Sequence, residues 1–175
     1  MGDVAARDVN KPKYIFITQQ RNDDYLVALY RRLANEKLGS LEGQPNDLPG
    51  DWLTTNETEV VGLKDKLTRG SLDEHFGYAK ECKEKYARHI GKYVMYESAR
   101  SINAYLLDTI ESSYQTSVLP HLKTIPAANK LELMRRGVTE PLRAALGENP
   151  LDFLPSHIDG MVFFLTGKCR IKWNG

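Results

Sequence analysis

The sequence predicts a mainly α-helical fold closed as a single domain, and three observations carry that prediction. No proline interrupts residues 71–119, where one proline ring would remove an N–H and clash with the preceding turn. Apolar residues within this stretch follow a three-and-four spacing, first Phe76, Ala79, Tyr86, Ile90 and Tyr93, then Ile102, Leu106 and Ile110. That is the period of one helix face. Finally, Ser or Thr stands three residues before an acid at Thr54, Ser71 and Ser156, the pattern of a helix start. The expected spine is a long central helix or helical hairpin, with room for a small β element made by an N-terminal strand and the C-terminal tail.

Element by element, residues 1–12 read as a flexible lead-in ending at Pro12 and residues 13–175 as the domain. Lys13 to Thr18 is rich in aromatic and β-branched residues, a short strand signal. From Asn22 the spacing of Leu26, Leu29, Tyr30 and Leu33 predicts a helix, with Asp23 and Asp24 suited to its first turn and Gly39 as its stop. Gly39 to Gly50 carries turn residues, with Trp52 and Leu53 as the apolar anchor beyond it. Two overlapping caps, Thr54 with Glu57 and Asn56 with Glu59, open a second helix over Val60, Leu63 and Leu67 that Gly70 ends.

Ser71 with Glu74 opens the spine, whose phase slips at Glu97, Ser98, Arg100 and Ser101. A bent helix or two helices are expected there, with Gly91 as another place for the break. After Pro120 come two short helices, Asn129 to Arg136 stopped by Gly137 and Thr139 to Leu146 stopped by Gly147. Met161 to Trp173 fits either a hairpin or a helix followed by an extended tail. Gly167 as a helix stop and the lack of alternation in the first run favour the helix.

Charge and composition narrow the function. The 175 residues hold 24 Lys and Arg against 23 Asp and Glu, a net charge of +1, so no global field draws the chain to nucleic acid or an anionic membrane. Cys82 and Cys169 are too few for a disulfide framework. No run is long and apolar enough for a membrane span, and the N-terminus lacks an apolar targeting core, which predicts a cytoplasmic protein. No nucleotide-binding loop or nucleophile elbow is spelled. His75, Cys82 and His89 recur every seven residues, a rise of about 10.5 Å on a helix, too far apart to share a metal. No metal and no cofactor are expected.

The reading is therefore a non-catalytic assembly or adaptor subunit. Tyr86, Tyr93, Tyr96, Tyr105 and Tyr114 are too many for one slender core, and exposed rings suit contact surfaces. A protein partner or a second copy is expected, an isologous homodimer being the simplest case. The rival reading is nucleic-acid binding through Arg135, Arg136, Lys168, Arg170 and Lys172, with low affinity and steep salt dependence because the set is small. Lys168, Arg170 and Lys172 alternate with Cys169, Ile171 and Trp173, which gives an extended tail one basic and one apolar face.

Two stretches carry resemblances. Arg69-Gly-Ser-Leu-Asp-Glu-His75 resembles the R-x(4 to 6)-H spacing of the all-helical HEPN family, many of whose members cut RNA. The resemblance implies catalysis by Arg69 and His75, the Arg stabilising phosphate charge and the His exchanging a proton. The ending from His157 to Trp173, with its Gly-Met, apolar run and final Ile-x-Trp, resembles the close of helical C-terminal domains that assemble bacterial antiphage complexes containing ABC-type ATPases. It implies a subunit of such a complex.

Overall fold

A computed structural model describes residues 14–39 and 57–174, with side chains for 24–39 and 62–174. The described residues form seven α-helices, with no strand among them. They are α1 (Tyr14–Gly39), α2 (Glu57–Arg69), α3 (Phe76–Gly91), α4 (Glu97–Ser113), α5 (Ala127–Met134), α6 (Glu140–Leu146) and α7 (Pro155–Gly167). The lead-in, the loop after Gly39 and its Trp52–Leu53 anchor lie outside the described residues.

The expected strand at 13–18 is corrected: from Tyr14 onward the backbone is already α1. No glycine or proline separates this run from the amphipathic segment behind it. Extending an existing helix costs only one residue's freedom per added bond, whereas an isolated strand has no partner to pair with. The helix read from Leu26, Leu29 and Leu33 is present, with those three side chains buried and Gly39 at its end.

The spine is two helices. Gly91 ends α3, and residues 92–96 turn the chain before α4 starts at Glu97. The two do not form the expected hairpin with each other. Instead α3 packs along α7, while α4 packs against α1 and also touches α7. The α3–α7 pairing is antiparallel, since His89 stacks on His157 while Lys83 lies beside Gly167. The organising helix is thus α7, buried along most of its length. A helix apolar nearly all round is stable only when neighbours cover it on several sides.

Several starts and stops also differ from expectation. Ser71 caps nothing: it sits at φ 59° in the turn after α2, and a 3₁₀ turn (Asp73–His75) leads into α3. The first residue before α7 is Leu154, and its N–H donates to Nδ1 of His157 at 3.0 Å, so His157 rather than Ser156 satisfies that end. Gly137 is not a stop. The chain runs from α5 through a π turn (Arg135–Thr139) into α6. A Cβ on Gly137 would lie 3.3 Å from Ser117 Cβ and Val118 Cγ2, inside the second π turn (Tyr114–Val118). Glycine there lets the two wide turns approach. Gly147 (φ 53°) ends α6 and Gly167 ends α7, as the sequence predicts. After Gly167 the tail turns rather than extends, with Ile171 and Trp173 buried and Cys169 exposed at φ 63°.

Candidate functional site

The α3–α7 seam is set by Gly160. A Cβ there would lie 2.3 Å from the Cys82 carbonyl oxygen and 2.6 Å from Tyr86 Cβ, so the two backbones meet where a side chain would normally stand. Tyr86 is 1% exposed and donates its hydroxyl to Asn103 Oδ1 at 2.8 Å, which ties α3 to α4. Burial pushes the Tyr86 phenol above its ordinary range, so it stays a neutral donor.

The C-terminal tail is held against this seam from three sides. The buried Lys130 ammonium of α5 donates to Gly70 O at 2.9 Å and Trp173 O at 2.7 Å. The Trp173 indole N–H donates to Thr166 Oγ1 at 3.1 Å. Tyr114 donates to the Lys172 carbonyl at 2.6 Å and accepts from its N–H at 3.2 Å. A Cβ on Gly70 would stand 2.3 Å from Trp173 Cβ, so only glycine lets the indole close over the end of α2.

With the tail in place, α3, α5, α7 and Trp173 enclose a groove of about 210 Å³. Its floor is apolar, made by Leu131, Met134, Val162, Phe163 and Trp173, with the Tyr78 ring packed edge-on to Phe163. Its rim is polar, with Asp159, Glu132 and Arg135. The Tyr78 hydroxyl donates to Asp159 Oδ2 at 2.5 Å. Burial, and then that hydrogen bond, push the Tyr78 phenol well above the usual tyrosine range, and burial raises the Cys82 thiol behind it. Both groups keep their protons, which suits packing and donation rather than nucleophilic attack.

The residues singled out in sequence fall differently. Tyr86 and Tyr114 are each 1% exposed and cannot meet a partner, because their rings fill the space beside α7 and under the tail. Tyr93 is half-buried under the Lys37 ammonium and against His89, and Tyr105 is half-buried against Tyr25. Tyr96 is half-buried as the residue before α4. The five do not form one exposed stripe. Arg69 is exposed at the end of α2, and His75 closes the 3₁₀ turn beyond the Gly70–Ser71 reversal, 3.4 Å from Glu74. The motif thus spans a chain reversal rather than one helical turn.

Three of the five basic residues are matched by acids. Arg135 donates to both Glu132 oxygens at 2.7 Å and also reaches Glu140, while Arg136 bonds Glu132. These hydrogen bonds, Arg135 first, hold the Glu132 carboxyl down at about 2. Arg170 is paired with Glu111, Nη2 to Oε2 at 2.7 Å. Lys168 lies over the Phe164 ring, and Lys172 is exposed. The groove itself was not legible in the sequence: Tyr78, Leu131 and Asp159 lie on three separated helices, and no local spacing links them.

Among the described residues the chain is thus a helical domain that carries an apolar groove with a charged rim, built partly by its own tail. The family model for C-terminal domain 9 of the ABC-three component (ABC-3C) systems matches residues 62–173, from within α2 to Trp173, and the chain belongs to that family. The match includes the 157–173 stretch whose resemblance pointed to such complexes, and it contains every wall of the groove. No curated protein and no solved structure matches the chain. Among the described residues no helix is long and apolar enough to cross a membrane, and no cluster of three or more His, Cys, Asp or Glu could hold a metal ion.

Proposed function

We propose that this chain is a non-catalytic assembly or adaptor subunit of a bacterial antiphage-type ABC-three component complex, acting in the cytoplasm through protein contacts. The family match over residues 62–173 carries the reading. The neutral state of Tyr78 and Cys82 beside the groove supports a binding role over a catalytic one. Pairing of Arg135, Arg136 and Arg170 with carboxylates lowers the free positive charge that phosphate contact requires, which weighs against the nucleic-acid alternative.

The partner is another component of the system rather than a second copy. Burial of Tyr86 and Tyr114 leaves fewer rings for a homodimer contact, which supports another component over a second copy. The test is to purify the full chain alone and together with the other components of its own system, and to measure mass by light scattering. A monomer alone and a defined higher-mass complex on mixing is the expected result. No complex with any component would overturn it. In parallel, incubation with RNA and DNA at low salt beside an Arg69→Ala, His75→Ala double variant should show no cleavage in either sample.

A further inference from the structure

The groove between α3, α5 and α7 has a charge pattern that specifies more than apolarity. Around its mouth Glu132 is shared by Arg135 and Arg136, and Arg135 also reaches Glu140. Of these, Glu132 and Arg135 line the groove, and adding Asp159 makes two lining carboxylates against one guanidinium. Asp159 is the one left over: among the described residues its hydrogen-bond donor is the Tyr78 hydroxyl, and it has no ion-pair partner. It is half-buried on α7, and Tyr78 holds it in place at the edge of the apolar floor. A fixed carboxylate at the edge of a space of about 210 Å³ lined by Met134, Phe163 and Trp173 calls for two things from one occupant. It must fill the floor with an apolar side chain and bring a cation to the rim.

We propose that the groove receives a basic amphipathic segment of another component of the complex. One bulky aliphatic or aromatic side chain fills the apolar space, and an adjacent Lys or Arg pairs with Asp159. This rests on the assembly reading above and deepens it by naming the surface and the partner's chemistry. Tyr78 acts as a positioning residue, since it orients the carboxylate through its hydroxyl while packing on Phe163. Trp173 makes the site depend on the docked tail, because it lines the groove and is held there by Lys130.

Trp173 also supplies the readout. A Trp52→Phe chain has Trp173 as its sole indole, and its emission is followed while each of the other purified components is added. A saturable change is expected with one component. Asp159→Asn, which keeps size and an acceptor but loses charge, should weaken that binding about tenfold at low salt, and the difference should shrink in about 1 M salt, where screening reaches a few ångströms. Leu131→Glu should weaken it by about tenfold or more, since an acid would enter the floor. Tyr78→Phe should cost a smaller factor, confined to low salt.

Far-ultraviolet spectra and melting curves identify which variants fold, and Asp159→Asn alone suffices if Leu131→Glu does not. Benzoylphenylalanine at position 78 then captures the contacted segment, which should carry Lys or Arg next to Leu, Ile, Met or Phe. If the complex forms but Asp159→Asn binds within about twofold of the parent at low salt, the groove proposal falls while the assembly reading stands. Capture of a second copy of this chain, or of a segment lacking a basic residue, also overturns the groove proposal. If the parent chain forms no complex at all, the assembly reading falls and this one with it.

Discussion

The two seams that hold α7 and α1 to the rest of the molecule are built on opposite principles. Along α3–α7 the backbones touch at Gly160, where a side chain would lie 2.3 Å from the Cys82 carbonyl. The α1–α4 seam is made instead by side chains, with Leu26, Leu29 and Leu33 buried on one face. One end is closed by a polar link: Glu36 accepts from the Ser98 N–H at 3.1 Å and from the Ser98 hydroxyl at 2.5 Å. The same helix is also tied to the end of α6 and the segment after it, where Tyr30 donates to Leu146 O at 3.2 Å and Lys37 donates to Pro150 O at 2.9 Å. The first seam lies within the family match and the second recruits a helix outside it. A seam without space fixes one register, because any added atom displaces backbone, whereas a side-chain seam can lose a contact and repack.

The largest expected effect is at the lock that closes the α7 side. Trp173→Ala removes a 1% exposed indole and its bond to Thr166, and should cost about 4 kcal/mol, read as a lower urea midpoint. It should also open the groove, so binding and stability fall together. Next, Gly160→Ala should cost about 3 kcal/mol through overpacking against fixed backbone. Gly167→Ala is its internal control, since the added Cβ meets only the end of Lys83, with Nζ at 3.2 Å. It should cost less than about 1 kcal/mol. If the two glycine variants unfold at the same urea concentration, the claim that α7 is held by backbone contact is wrong.

On the other seam, Glu36→Ala removes the acceptor at the start of α4 and should cost about 1 to 2 kcal/mol. Hydrogen exchange should rise in α1 and the first turn of α4 while α3 and α7 stay protected. Uniform loosening of all four would show that the seams are not separable.

The last expectation is a pH dependence that arises at the entry of α7. His157 stacks on His89 with ring centroids 4.0 Å apart, and its Nδ1 accepts the Leu154 N–H. Burial first, and then the neighbouring His89, Lys92 and Lys85, lower its pKa from 6.5 to about 4. The unfolded chain therefore takes up this proton before the folded one does. The contribution to stability is complete above about pH 6.5 and is lost progressively as pH falls toward 4. His157→Asn, which keeps an acceptor without titrating, should flatten the urea midpoint between those values. An unchanged slope would assign the acid sensitivity to other groups.

Much of the helical frame was legible because it depends on neighbours in sequence. Leu26, Leu29 and Leu33 show the buried face of α1, Ile102, Leu106 and Ile110 that of α4, and Gly39, Gly147 and Gly167 mark ends. Local signals misled where two local answers were close in energy. Tyr14 to Thr18 has strand-type residues but lies within a helix, and Ser71 offers a cap that His75 and a 3₁₀ turn replace. Gly137 carries a stop signal, yet its use is to let the wide turn at Arg135–Thr139 meet the one at Tyr114–Val118.

The sequence by itself determined a helical chain, the rough extent of its amphipathic segments and a near-neutral charge, since periodicity, glycine punctuation and composition act within a few residues. Only the tertiary structure decided that α7, not the 71–119 spine, is the centre. It also turned Tyr86 and Tyr114 inward, paired Arg170 with Glu111, and brought Tyr78, Leu131 and Asp159 to one groove. The groove and the Arg170 pair depend on which faces meet across long separations, 81 residues for Tyr78 and Asp159 and 59 for Arg170 and Glu111. Burial of a whole apolar face outweighs the preference of any single residue, so the partners are chosen by shape and space rather than by local pattern.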